Sequence, residues 1–168
     1  MKTLYLVRHA KSSKDVPMAD KDVPMADKDR PLDERGERDA PKMGRRLAER
    51  GAKLDLIVSS PALRALATAQ LIAKALRYKL GDIALNDRLY ASQADELLGV
   101  IHALDDTLKS VMLVGHNPEM SDLAHRFASE IIDMPTCAVA EFRVDAKSWS
   151  QVGQVLPDKA SFDHPKKS

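Results

Sequence analysis

Two short runs composed only of strand-forming apolar residues constrain the fold more than anything else in the chain. They are LYLV at Leu4–Val7 and the VMLV inside SVMLVGH. A strand that is apolar at every position is buried on both faces, so it needs a layer packed on each side. Both runs end abruptly in groups that are costly to bury. The first stops on Arg8-His9 and the second on Gly115-His116. Between them the pattern changes from strand to helix and back, which predicts a mainly parallel sheet covered by helices on both faces.

The intervening segments carry the expected punctuation. In LDERGERDAPKMGRRLAERG, Asp33 can cap a helix, Met43 and Leu47 lie four apart on one face, and Gly51 can end it. LDLIVSS reads as a strand from about Asp55 to Ser59. Ser60-Pro61 then suits the N-cap and first position of a helix whose core stripe is Leu63, Leu66, Ala67 and Leu71. A short extended piece near Ile83–Leu85 precedes SQADELLGVIHAL, where Ser92 and Asp95 resemble a capping box. Pro118 starts a further helix, through about Ala128. CAVAEFRV alternates like a strand, SQVGQVL is its candidate hairpin partner, and PDKASFDHPKKS, from residue 158 on above all, reads as a loose polar tail.

With 168 residues the chain fits a single domain with a real core. Lys plus Arg number 26 against 25 acidic residues, a balance that offers nothing to nucleic acid or an anionic membrane surface. The apolar runs are too short to span a bilayer, and no signal peptide is visible ahead of the first strand. The one cysteine, Cys137, excludes an internal disulfide framework and suits a reducing compartment, so a cytoplasmic setting is expected. Cys137 itself reads as a small buried residue, and Trp149 as an edge-strand packing residue.

One segment is repetitive. KDVPMAD occurs twice in succession, at Lys14–Asp20 and Lys21–Asp27. Pro17 and Pro24 exclude a coiled-coil heptad, and a tandem duplication in a surface loop over residues 14–29 is the better reading.

Ligands of open parallel sheets bind beyond the carboxyl ends of the strands. Three segments deliver polar groups there: Arg8 and His9, then Ser59, Ser60 and Arg64, then His116. Arg64 stands in the first turn of a helix, where the dipole disfavours a cation by up to ~1 kcal/mol. An anion in the same space would offset that cost, and phosphate fits both the guanidinium and helix N-terminal amides. Each residue alone is compatible with a purely structural role; the convergence of two arginines and two histidines on one edge points to a site. The other histidines, His102, His125 and His164, lack companion ligands at metal-binding spacing.

LYLVRHA, RPLDERG, SSPALRALATAQ and LVGHNP, in that order, resemble the motif series of the histidine phosphatase superfamily, the phosphoglycerate-mutase-like fold. The resemblance runs from about Thr3 to Val155, and RHAKSS with the compact length is most similar to the small SixA-like phosphohistidine phosphatases. It implies a three-layer α/β/α sandwich and a metal-free, cofactor-free phosphatase. His9 would take the phosphoryl group as nucleophile. Arg8, Arg64 and His116 would bind its oxygens, and inorganic phosphate would leave as product. Ser12 and Ser13 are candidate hydrogen-bond donors to the phosphate or, equally, residues that shape the turn.

Many members carry a Glu that protonates the leaving oxygen, and the stretch LNDRLYASQADELL lacks it near Leu89-Tyr90. Asp87 and Glu119 are the candidates to replace it. Imidazole leaving from a phosphohistidine needs less help from an acid than an alkoxide does. The expected substrate is therefore a protein carrying phosphohistidine. A broad small-molecule phosphomonoesterase and a non-catalytic phosphate-binding module are the alternatives. Asp15, Asp20, Asp22, Asp27 and Asp29 of the extended loop are expected near the mouth of the pocket.

Overall fold

The computed structural model describes residues 1–13 and 26–168. The duplicated segment thus lies outside the described residues except for its last two, Ala26 and Asp27.

Six strands form one sheet: β1 (Lys2–Arg8), β2 (Leu56–Ser59), β3 (Ala84–Leu85), β4 (Ser110–Gly115), β5 (Val139–Val144) and β6 (Lys159–Asp163). Their spatial order is β3-β2-β4-β1-β5-β6. The first four in that order run parallel, β5 is antiparallel to β1, and β6 is antiparallel to β5. The two fully apolar runs, β1 and β4, are the central neighbours, as burial on both faces requires.

The four α-helices among the described residues are α1 (Glu34–Glu49), α2 (Leu63–Ala75), α3 (Ala94–His102) and α4 (Glu119–Phe127). The two-residue alternation of β1 divides the core between them. Tyr5 and Val7 pack with Met43, Leu47, Ala69 and Ile72 of α1 and α2. Leu4 and Leu6 pack with Leu97, Ile101, Leu123 and Phe127 of α3 and α4. The result is the expected three-layer α/β/α arrangement. No helix among the described residues is long and apolar enough to cross a membrane.

Asp33 caps α1 by accepting from the Gly36 amide at 2.8 Å, and Gly51 follows the helix with φ +75°. Elsewhere the local signals were overruled. Helix α2 begins at Leu63 with Ala62 as N-cap; the Ser60 hydroxyl lies ahead of it, 2.8 Å from His116 Nε2 and accepting from the Ala62 amide at 3.2 Å. Ser92 and Asp95 form no capping box; Gln93 is the N-cap of α3 and the Ser92 amide donates to Glu119.

The partner of β5 is not SQVGQVL. That stretch makes a 3-10 turn at Trp149–Gln151, closed by a capping box from Ser148, and buries Trp149 completely beneath Lys2. Residues 159–163, within the stretch read as a loose tail, supply the edge strand β6 instead. Arg46 of α1 ties the end of β6 down through Asp163 at 2.9 Å. Cys137 is fully buried and, among the described residues, free.

Candidate active site

The carboxyl ends of β1, β2 and β4 meet at one edge of the sheet. Parallel register pairs Arg8 with Gly115 and Ser59 with Val114. His9 and His116 therefore follow as the next residues on adjacent strands, with Ser60 close on the other side. The His9 amide donates to the Gly115 carbonyl at 2.9 Å, and the Ser60 amide to Val114 at 3.0 Å. Adjacent parallel strands lie about 4.8 Å apart, and the two imidazole centroids are 5.1 Å apart.

A cleft of about 350 Å³ opens over this edge, lined by Arg8, His9, Arg64 and His116 together with Asp27, Arg30, Tyr90 and the Ala91–Ser92 and Asn117–Glu119 segments. The four residues singled out from the sequence thus meet in one place. His9, Arg64 and His116 are each under a tenth exposed.

The hydrogen bond of His9 defines its chemistry. Nδ1 lies 2.7 Å from the Ala10 carbonyl oxygen, which can only accept, so Nδ1 carries the proton. In the neutral ring the lone pair is then on Nε2. Burial pushes this imidazole down to about 4; Arg64, Arg8 and Arg30 add to the effect, and the Ala10 hydrogen bond opposes it. At neutral pH His9 is an unprotonated base with one free nitrogen.

Neighbouring groups fix the position of that ring. The Ala10 amide donates to Thr68 Oγ1 at 2.9 Å, and the Thr68 hydroxyl donates to the Arg64 carbonyl at 2.7 Å. One side chain of α2 thus links the segment bearing His9 to the backbone of Arg64. The Cys137 amide holds the His9 carbonyl at 3.0 Å, and Arg8 Nη1 donates to the Met134 carbonyl at 2.9 Å.

His116 is held through Nε2, 2.8 Å from Ser60 Oγ, and burial pushes its imidazole down to about 3. The rings of Tyr90 and His116 meet edge to face at 5.5 Å. Three buried side-chain nitrogens have no partner among the described residues: Arg8 Nε, Arg64 Nε and His116 Nδ1. All belong to residues lining the cleft. Unpaired buried polar groups are costly, and a cleft lined by Arg8, Arg30 and Arg64 suits an oxyanion.

The other expectations separate. Glu119 lines the cleft, is 3% exposed, and accepts from the Ser92 amide at 3.0 Å through Oε2. Asp87 is exposed and does not line the cleft, because it opens a 3-10 turn whose buried residue is Leu89. Ser12 is buried but lies outside the cleft lining, and its hydroxyl accepts from Arg30 Nη1 at 3.1 Å. Ser12 thus supports Arg30, which lines the cleft. His102 and His125 bond the carbonyls of Val152 and Ile131.

Sequence reasoning missed Arg30 and Tyr90 as cleft residues. Arg30 had a signal: it precedes Pro31, whose extended requirement on the preceding residue carries the chain on to a bridge between Ser12 and Leu32. Tyr90 had none beyond its place in a turn. Asp27 was expected near the mouth and is found there; Asp29 is exposed, and Asp15, Asp20 and Asp22 lie outside the described residues.

A sequence profile described as histidine phosphatase superfamily (branch 1) matches residues 4–90, a little over half of the chain. The chain belongs to that superfamily. As a phosphatase of the superfamily, it shares its fold with several solved structures. SixA of Agrobacterium tumefaciens, assigned as a phosphohistidine phosphatase, is 28% identical with a TM-score of 0.77, covering 95% of this chain and 97% of that one. SixA of Nakamurella multipartitia is 23% identical with a TM-score of 0.78, covering 99% and 97%. The protein histidine phosphatase SixA complexed with tungstate is 20% identical with a TM-score of 0.76, covering 97% of each. Among curated protein sequences none gives a significant match.

Proposed function

We propose that this phosphatase removes phosphoryl groups from protein phosphohistidine by way of a phosphorylated His9. The carrying observation is the His9 Nδ1–Ala10 hydrogen bond, which leaves Nε2 as the unprotonated nitrogen in a cleft lined by Arg8 and Arg64. In this reading the Nε2 lone pair attacks phosphorus as the bond to the leaving group breaks. Arg8, Arg64 and His116 stabilise the charge on the equatorial oxygens. Water then attacks the phosphorus of phospho-His9, the P–Nε2 bond breaks, the water's proton is lost to solvent, and inorganic phosphate leaves.

The choice of phosphohistidine rests on the leaving group and on the resemblance. A departing imidazole takes its proton near neutral pH and does not need a strong acid beside it. The similarity to SixA of Agrobacterium tumefaciens along nearly the whole chain supports the same substrate class.

Glu119 favours a second reading. Its carboxyl lines the cleft, is buried, and has one oxygen on the Ser92 amide. A phosphomonoesterase would use it; a phosphohistidine phosphatase would tolerate its loss. Turnover of a phosphohistidine protein and of an alkyl phosphate by the parent and by Glu119→Gln separates the two. The proposal expects faster turnover of the phosphohistidine protein, retained in Glu119→Gln. Faster alkyl phosphate turnover, lost in Glu119→Gln, would establish the monoesterase instead.

A further inference from the structure

Asp27 holds the donors that the phosphate reading assigns to substrate. Both terminal nitrogens of Arg64 are on it: Nη1 donates to the Asp27 carbonyl at 2.8 Å and Nη2 to Oδ2 at 3.0 Å. The Tyr90 hydroxyl donates to Oδ2 at 2.6 Å, and Arg30 Nε to Oδ1 at 3.0 Å. The carboxylate is thus ringed by a phenol and two guanidinium groups, the kind of donor set that grips a tetrahedral oxyanion.

We propose that Asp27 is an internal competitor for the oxyanion, its carboxylate occupying Arg64 Nη2, Arg30 and Tyr90 until a phosphoryl group displaces it. The inference rests on the reading of this cleft as a phosphate site. A guanidinium grips a phosphate through a pair of N–H groups. Each terminal nitrogen of Arg64 gives one of its N–H groups to Asp27, so a phosphate that takes that same pair must displace Asp27 first.

Asp27 is built to move. It begins a 3-10 turn, Asp27–Asp29, none of whose residues is buried. Its own side chain is 51% exposed, whereas that of Arg64 is 7% exposed. The anchor belongs to the core and the carboxylate to the surface, so Asp27 can leave without uncovering a buried residue of its own turn. A phosphoryl dianion offers more charge and more acceptor positions than the carboxylate it replaces. The hydrogen bonds from Tyr90, then those from Arg64 and Arg30, hold the Asp27 carboxyl well below the usual range, so it competes as an anion throughout neutral pH.

Isothermal titration of the full chain with inorganic phosphate tests this, comparing the parent with Asp27→Asn and Asp27→Ala. A competitor engaged nine-tenths of the time weakens apparent affinity about tenfold. Both variants should bind phosphate roughly five- to tenfold more tightly, with the KM for a phosphorylated substrate falling in parallel. Adding Arg64→Ala to Asp27→Asn should abolish the gain. Unchanged or weaker phosphate binding in both variants would overturn the proposal and make Asp27 a brace that positions Arg64. A tighter fit that survives the loss of Arg64 would overturn it as well. Phosphate binding by neither parent nor variants would instead refute the phosphate-site reading, and this inference with it.

Discussion

His9 and His116 stand side by side because their strands are in register. Arg8 pairs with Gly115, each histidine is the next residue along, and the ring centroids lie 5.1 Å apart with planes inclined by 56°. Residues more than a hundred positions apart in sequence are thereby fixed by backbone hydrogen bonds of the sheet rather than by a loop. That is the placement a nucleophile needs, since small displacements of reacting groups are costly in rate.

Burying two imidazoles side by side makes stability depend on pH. His9 is pushed down to about 4 and His116 to about 3, against about 6.5 in the unfolded chain. Between these values the unfolded state binds protons that the folded state does not, so stability falls as pH drops from about 6.5 towards 4. The expected loss is on the order of 1 kcal/mol per pH unit for each histidine. Urea unfolding at several pH values between 7 and 5 measures it, and His9→Gln should make the dependence shallower. A slope that His9→Gln leaves unchanged would contradict the assignment.

In the proposed function Arg64 binds phosphate through a pair of N–H groups, which Lys cannot reproduce. Arg64→Lys should lower kcat/KM for a small aryl phosphate by about ten- to a hundredfold, given ~1.5–3 kcal/mol for a charged hydrogen bond. Steady-state kinetics against the parent gives the ratio, with circular dichroism to verify that the fold is retained.

Gly36 is where α1 comes down on the segment after His9. A Cβ built there would stand 2.2 Å from the Lys11 carbonyl oxygen, and that same oxygen accepts from the Asp33 amide at 3.0 Å. Neither partner is a flexible side chain, so the strain cannot be relieved locally. Gly36→Ala should cost ~1–3 kcal/mol by overpacking, read from chemical denaturation, and should reduce turnover because the displaced backbone carries His9.

The framework of this site was legible because burial and charge conflict openly in the sequence. LYLV and VMLV have to be central strands, and Arg8, His9 and His116 at their ends have nowhere to go but the sheet edge. Arg64 was legible as a cation in a helix's first turn. The parts that were not legible depend on tertiary contacts. Ser60 looked like an N-cap, but the helix starts later, and the Ser60 hydroxyl joins the Ala62 amide to His116 Nε2, a partner 56 residues away. Ser92 with Asp95 looked like a capping box, but the buried Glu119 carboxylate needs the Ser92 amide. Strand β6 was read as tail because an edge strand is buried on one side only; its KASFD sequence is mostly polar and takes its register from β5.

Thr68 connects the two halves of the site through a single hydroxyl. Thr68→Val keeps the shape and removes the acceptor of the Ala10 amide, leaving that buried N–H unpaired at a cost of about 1–3 kcal/mol. Thermal or urea unfolding measures the cost. A fall in kcat is expected as well, because the amide that loses its partner belongs to the peptide directly after His9.

The account turns on the free Nε2 of His9, and trapping the phosphorylated enzyme tests it most directly. Rapid acid-free quenching with a radiolabelled phosphodonor, followed by peptide mapping and phosphorus NMR, locates the phosphate. The account predicts an acid-labile phosphate on Nε2 of His9, absent in His9→Ala together with turnover. Phosphate on Nδ1 or on another residue, or undiminished turnover in His9→Ala, would contradict it.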